Sequence, residues 1–213
     1  MYQSIGVAKL FTLFALIAAA VAVAKVALAP PETLFGWWAP ISLGISVSGG
    51  LIVGVGQSFA FPWICRLKFI RDLSPDISGD WRATVNSNWP VIAKFADLDP
   101  GAGTPVYADI KVVARLLRVK IKFQSDNKYS RSKSVSVSVS RDEDNGDVRI
   151  YYTYENTTED PVTSDCSHHF GSAYVDVTGC GPEMTLHGLY WTNRKWNAGL
   201  NTAGTIGWAR PPG

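Results

Sequence analysis

The sequence predicts an N-terminal two-helix transmembrane hairpin followed by an all-β soluble domain, a small antiparallel, roughly eight-stranded β-barrel of lipocalin-like build. Three observations carry this. Between Leu10 and Ile64 only Lys25 and Glu32 are charged, whereas nearly all other Lys, Arg, Asp and Glu follow from Arg66 onward. After Pro75 the long apolar runs give way to alternation of period two, the signature of half-buried strands. Gly, Asn, Asp and Pro punctuate that second part at short intervals, as tight turns require. The chain therefore divides into residues 1–72, the membrane hairpin with spans at about 10–29 and 36–64, and residues 73–213, the barrel.

The first span, Leu10 to Leu28, is long enough to cross about 30 Å of hydrocarbon. Lys25 stands near one end, where its amine can reach the interface. Pro30-Pro31-Glu32 supplies a short turn. The second apolar stretch, Phe35 to Ile64, carries Gly44, Gly49, Gly50, Gly54 and Gly56 with Ser46, Ser48 and Ser58, small residues that let helices approach closely in lipid. They serve packing against the first helix, self-association in the membrane, or both. Gln57 is the one amide in this run. Trp37, Trp38 and Trp63 fall where aromatic belts occur. Lys9 before the first span, and Arg66, Lys68 and Arg71 after the second, place both termini and the barrel in the cytoplasm by the positive-inside rule. Lys9, the apolar core from Leu10 to Ala24 and Ala22-Val23-Ala24 also imitate a cleavable signal peptide. The second span would then still deliver the barrel to the cytoplasm.

Strands are expected at Gly79–Ser87, Val106–Ala114, Arg118–Ser125, Ser132–Ser140, Val148–Tyr154, Phe170–Val177, Met184–Thr192 and Gly204–Arg210, with a short helix around Trp89 to Asp97. Asp144-Asn145-Gly146-Asp147 reads as a hairpin turn of type I′, because Asn-Gly readily takes positive φ. Closing eight strands removes exposed edges and leaves an interior just able to hold one small ligand. In Ser132 to Ser140 every even position is Ser and the later odd positions are Val. One face is thus hydroxyl-lined and the other apolar, and either could face inward. Alternation puts Tyr190, Thr192 and Arg194 on one face, and Ile206, Trp208 and Arg210 on another. An aromatic ring, a hydroxyl and a guanidinium together suit a phosphorylated nucleobase ligand: stacking for the base, forked donors for the phosphate.

Other chemistries find little support. A net charge of +2 argues against general DNA or RNA binding, which needs a basic excess or a clustered basic face. Cys65, Cys166 and Cys180 form no CxxC pair, so neither a disulfide framework nor a zinc site is indicated. His168 and His169 are adjacent and point to opposite faces of a strand, and Asp165 and Cys166 nearby leave only a weak case for a metal. The acidic run Asp142, Glu143, Asp144 and Asp147 reads as a solvated hairpin tip. No nucleophile motif, phosphate-cradling glycine loop or dinucleotide fingerprint is present, so the chain is not expected to be an enzyme.

Two N-terminal spans, then Gly79-Asp80-Trp81, the alternating Ser strand, Leu186-His187-Gly188-Leu189-Tyr190-Trp191-Thr192-Asn193-Arg194, and Gly204-Thr205-Ile206-Gly207-Trp208-Ala209-Arg210, are similar in order to the two-transmembrane, β-strand-rich effectors of bacterial CBASS anti-phage systems. The resemblance spans nearly the whole chain. It implies a cytosolic barrel that binds a cyclic dinucleotide made by a partner CD-NTase, with no cofactor. It further implies an inner-membrane location, ligand-induced homo-oligomerisation of the spans, disruption of the bilayer and abortive infection. With strand parity, it assigns Trp81, Tyr190 and Trp208 to base or wall contacts, Ser132, Ser134 and Thr192 to hydroxyl contacts, and Arg194 and Arg210 to phosphates. A one-residue slip in register would invert such assignments. The competing readings are a membrane-anchored lipocalin-like binder of an apolar ligand and a structural anchor with no ligand.

Overall fold

The computed structural model describes residues 1–211 apart from 102, 128 and 143. The N-terminal part contains α1 (Tyr2–Ile5), α2 (Val7–Leu28), a 3-10 turn at Leu34–Trp37, α3 (Trp38–Gln57), α4 (Phe61–Cys65) and α5 (Lys68–Arg71). The 22 residues of α2, none of them buried, rise about 33 Å at 1.5 Å per residue. This helix and the 24-residue stretch Leu34–Gln57 are each long and apolar enough to cross a membrane.

The two helices pack through a narrow seam. A Cβ at Gly44 would come within 2.4 Å of the Ala18 carbonyl oxygen, so only glycine allows the approach. One turn on, the fully buried Ser48 donates its hydroxyl to the Phe14 carbonyl at 2.8 Å. Gly50 and Gly54 face away from α2, with open space where a side chain would stand. The long helix ends at Gln57 and not at Ile64. Ser58 turns extended, Pro62 opens α4, and Phe61 and Cys65 are buried, joining the core at the base of the barrel.

The barrel consists of β1 (Gly79–Ser87), β2 (Val106–Ala114), β3 (Val119–Ser125), β4 (Ser130–Arg141), β5 (Val148–Thr158), β6 (His168–Thr178), β7 (Thr185–Thr192) and β8 (Ala203–Ala209), with α6 (Trp89–Phe95) between β1 and β2. Each strand pairs antiparallel with its sequence neighbours, and β8 closes on β1. All eight expected strands and the short helix are present, with small shifts at the ends. The Asn145-Gly146 turn differs in type. Of the pair only Gly146 has positive φ, at 79°, and Asp142 already pairs with Asp147 through N–H to carbonyl at 2.8 Å. The loop is thus longer than the two residues of a type I′ hairpin; Glu143 lies outside the described residues.

The Ser/Val alternation of β4 does not hold one parity. A bulge lies between Ser134 and Ser136, and Val135 and Ser136 are both exposed. An extra residue in one strand shifts every later side chain to the opposite face. Before the bulge Ser132 and Ser134 face the interior; after it Val137 and the buried Val139 take their place.

The two ends of the barrel therefore differ. At the end near the helices, Trp81, Ile150, Val175, Leu186 and Trp208 fill the interior. The Trp208 ring lies 6.3 Å from that of Trp81 and 5.8 Å from that of Tyr152, while Trp81 Nε1–H donates to the Ile77 carbonyl at 3.0 Å. The β2–β3 turn is tied to the helices through Leu116 N–H to the Gly56 carbonyl at 2.8 Å and Tyr2 N–H to the Leu116 carbonyl at 2.9 Å. Gln3 accepts from the Ser138 hydroxyl at 2.8 Å. Cys65, Cys166 and Cys180 are free thiols.

If Trp208 is the keystone of this plug, truncating it leaves a void flanked by Trp81 and Tyr152. Trp208→Ala is expected to cost about 3–5 kcal/mol, read from urea unfolding of the full chain in detergent by near-ultraviolet circular dichroism.

Candidate ligand-binding cavity

The end of the barrel away from the helices is hollow. A cavity of about 280 Å³ opens there, close to the lower bound of roughly 300 Å³ for small-molecule sites. Its floor is apolar, formed by Ile110, Ile121, Phe123, Ile206 and the edge of Tyr152. Its walls are polar. Ser132, Ser134, Tyr190, Thr192 and Arg194 line it, so five of the eight residues singled out from the sequence come together there. Trp81, Trp208 and Arg210 are not among the lining residues. Parity places their side chains on the inner face or at its edge, but not at the height of the cavity. Trp81 and Trp208 belong to the plug. Arg210 lies over the Trp81 ring at 3.8 Å and donates to the Ser78 carbonyl at 2.8 Å and the Asp76 carbonyl at 3.0 Å. Asp76 in turn meets Arg66 at 2.8 Å. The guanidinium expected at a phosphate thus joins the base of the barrel to the segment that follows the helices.

The wall hydroxyls are held by neighbours. Ser130 and Ser132 both donate to Asn156 Oδ1 at 2.7 Å. Ser134 Oγ accepts from the Ile121 N–H at 2.9 Å, taking a place on β3 that the β4 backbone leaves as the two strands part. Thr192 and Thr202 hydroxyls lie 3.1 Å apart. Tyr154 reaches across because Gly171 has no side chain: a Cβ there would stand 2.3 Å from the phenol ring. Burial raises the pKa of Tyr152, Tyr154 and Tyr190 above the ordinary value, so these phenols are neutral near pH 7.

Sequence reasoning missed Asn156 and Tyr129, and weighed Asp165 and His169 only for a metal. Asn156 and Thr158 continue the inward parity of Tyr152 and Tyr154, and β5 extends four residues beyond its expected end. Asp165 lies in the β5–β6 connection, where no periodicity exists to read. Its carboxylate Oδ1 is 2.7 Å from Arg194 Nε and accepts from the Cys166 N–H at 2.8 Å. Asp165, Cys166 and His169 bring three metal-ligand atoms within 4.8 Å of one another, with Cys166 Sγ 3.6 Å from His169 Nδ1. Arg194 already occupies the carboxylate, and the trio carries no metal assignment.

On the outside of β1–β5 a second hollow of about 790 Å³ presents Lys111, Lys122, Arg131 and Lys133 beside Asp80, Asp109 and Glu155. Its cations are partly spent: Lys133 pairs with Glu155 at 2.7 Å and Arg131 with Glu159 at 3.0 Å.

An up-and-down barrel plugged at one end and open at the other as a cavity with an apolar floor and polar groups in its wall is, in form, a small-molecule receptor, here carried on two helices of membrane-spanning length. Residues 73–210 match the family described as Cap15, cyclic dinucleotide receptor domain. The chain belongs to that family, and the family's ligand class is a cyclic dinucleotide, as the resemblance implied. Over 132 residues the chain is 29% identical to CD-NTase-associated protein 15 of Escherichia albertii, an alignment covering 62% of this chain and 60% of that protein.

The cavity also carries a pH signature. Burial lowers the pKa of His169, with Asp165 opposing the shift and Arg194 and His168 adding to it. The unfolded chain then binds a proton that the native state refuses, so stability falls with pH below the ordinary value near 6.5. The loss levels off once pH drops under the native pKa. In His169→Gln the unfolding free energy should fall less than in the wild type between pH 7.5 and 5.5, measured by denaturant titration of the full chain; equal falls would contradict a buried neutral imidazole.

Proposed function

We propose that this chain is the membrane effector of a CBASS anti-phage system, whose barrel binds a cyclic dinucleotide made by a partner CD-NTase. The observation that carries the reading is the one-ended cavity: an apolar, aromatic floor beneath a ring of hydroxyls, with the Arg194 guanidinium at the wall. Each part has a counterpart in such a ligand. Bases stack on apolar and aromatic surface, ribose hydroxyls exchange with Ser132, Ser134, Thr192 and Asn156, and a phosphodiester takes the forked donors of Arg194. The protein acts by binding and not by catalysis.

In this reading Lys9, Arg66, Lys68 and Arg71 hold both termini on the cytoplasmic side of the inner membrane. The ligand must favour an assembled state over the monomer, because equal affinity for both would shift nothing. Assembly of the spans then disrupts the bilayer, and the infected cell stops growing before phage matures. Arg210, Trp81 and Asp76 link barrel to helices and lie on the path by which occupancy reaches the membrane. The apolar floor supports a second reading, a membrane-anchored carrier of an apolar ligand, which needs no cavity arginine.

The test is thermal stability of the full chain in detergent with cyclic di-AMP, cyclic di-GMP, cyclic GMP–AMP and cyclic di-UMP, against linear dinucleotides and fatty acids. A native-state ligand at 100 times its Kd adds about 2.7 kcal/mol, so one cyclic dinucleotide should raise the melting temperature selectively. Arg194→Ala should weaken that ligand by at least about tenfold, the loss of one charge-assisted contact. Stabilisation by a fatty acid alone would favour the carrier.

A further inference from the structure

Arg194 is the only Lys or Arg among the described residues lining the cavity, and Asp165 the only carboxylate. The two are spent on each other. Their side chains are 14% and 9% exposed, and Nε stands 2.7 Å from Oδ1. Yet the Nε–H is not aimed at that oxygen, and the buried atom makes no hydrogen bond. Nη2 donates to the Ser164 carbonyl at 3.0 Å, and the guanidinium lies 4.5 Å from the centre of the Trp89 ring. Arg194 thus has one charge partner, Asp165, and an unsatisfied donor.

The same contacts fasten the segment between β5 and β6. Besides Ser164, the Thr163 carbonyl accepts from Lys195 Nζ. The Tyr129 hydroxyl donates to Asp165 Oδ2 at 3.3 Å and accepts from the Val162 N–H at 3.4 Å. Residues 159–167 are therefore tied at their middle through the pair and its immediate neighbours, and at their ends by Glu159 N–H to the Tyr129 carbonyl at 3.0 Å, Thr158 N–H to the Ser167 carbonyl at 2.9 Å and the Glu159–Arg131 ion pair.

We propose that Asp165 is a resident counter-ion, which holds Arg194 and latches residues 159–167 until a phosphodiester of the bound cyclic dinucleotide takes its place. The proposal rests on the function assigned to the cavity above. A cyclic dinucleotide carries two phosphodiester charges, and a carboxylate beside the one cavity guanidinium repels the nearer of them. The ligand must displace Asp165 to gain the guanidinium fork, and the idle Nε–H then finds an acceptor. Displacement frees the Ser164 carbonyl and the Tyr129 hydroxyl together. The affinity of the receptor is thereby set below what its donors could give, and ligand arrival is converted into release of a surface segment.

This predicts the opposite of what loss of a polar cavity residue would ordinarily do. In the full chain in detergent, titrated with the four cyclic dinucleotides named above, Asp165→Asn should bind the preferred one about fivefold more tightly or better, the lower end of coupling between linked sites. The control Asp144→Asn, on the exposed hairpin at the other end, should bind as the wild type does. Hydrogen exchange of the liganded wild type supplies the readout that a purely structural role would not move, and the ligand-free variant checks the tie itself. Amides of residues 159–167 should exchange faster in ligand-free Asp165→Asn than in ligand-free wild type, and faster in liganded wild type than in free wild type. If Asp165→Asn does not fold, Tyr129→Phe, which removes two ties and keeps the charge, should quicken the same amides. Unchanged or weaker binding by Asp165→Asn, with the wild type still binding, overturns the counter-ion role alone. Binding by Asp165→Asn where the wild type shows none supports it, and no binding by either overturns the receptor reading and this proposal with it.

Discussion

An eight-stranded barrel encloses a space that its own inward side chains can fill, so a cavity exists only where those side chains are small or short. The β4 bulge decides where that is. Had the Ser132 to Ser140 row kept one parity, either a column of hydroxyls would run into the aromatic plug or a column of valines would rise into the cavity wall. The extra residue between Ser134 and Ser136 lets one repetitive strand serve both halves, serines above and valines below. The plug, the cavity and the division of labour between the two ends all depend on that change of face.

With the plug toward the helices, the barrel meets the helical part through backbone bonds of Leu116 to Gly56 and to Tyr2 of α1, and through the Arg210–Asp76–Arg66 chain. The hollow end points away. A ligand in the cavity is separated from the helices by tightly packed rings, and close packing transmits small displacements and does not absorb them. Within the cavity the polar groups engage one another: Ser130 and Ser132 with Asn156, Thr192 with Thr202, and Arg194 with Asp165 by charge, its Nε–H alone making no hydrogen bond. Binding is then an exchange of internal partners for ligand partners, which favours selectivity, since an analogue that fails to replace a partner leaves a buried polar group unpaired.

The architecture was legible in the sequence because it rests on local signals: only two charges between Leu10 and Ile64, period-two alternation after Pro75, and turn residues between runs. Those set the strand number and place every strand boundary but the end of β5 within two residues. The site was legible only in part, and the division is physical. Parity tells which face a residue occupies, and Ser132, Ser134, Tyr190, Thr192 and Arg194 follow from it. Parity does not tell height along the barrel, which put Trp81, Trp208 and Arg210 in the expected site although they lie below or beside it. A bulge leaves no mark in an alternating Ser/Val strand, and a loop residue such as Asp165 reaches the cavity through the closure of the whole barrel. The helix seam was half legible: Gly44 and Ser48 face α2, while Gly50 and Gly54, of the same residue class, do not.

The central claim is that the ligand sits inside the hollow end and not on the basic outer face. Photolabelling of the full chain in lipid nanodiscs with an azido-substituted cyclic dinucleotide, followed by peptide mapping, tests it directly. The account predicts labels on the β7 segment containing Tyr190 and Thr192, which lines the cavity and not the outer hollow, suppressed by excess unlabelled ligand. Suppressible labels confined to segments containing Lys111, Lys122 and Glu155, with none on β7, would contradict it and move the receptor site to the outside of the barrel.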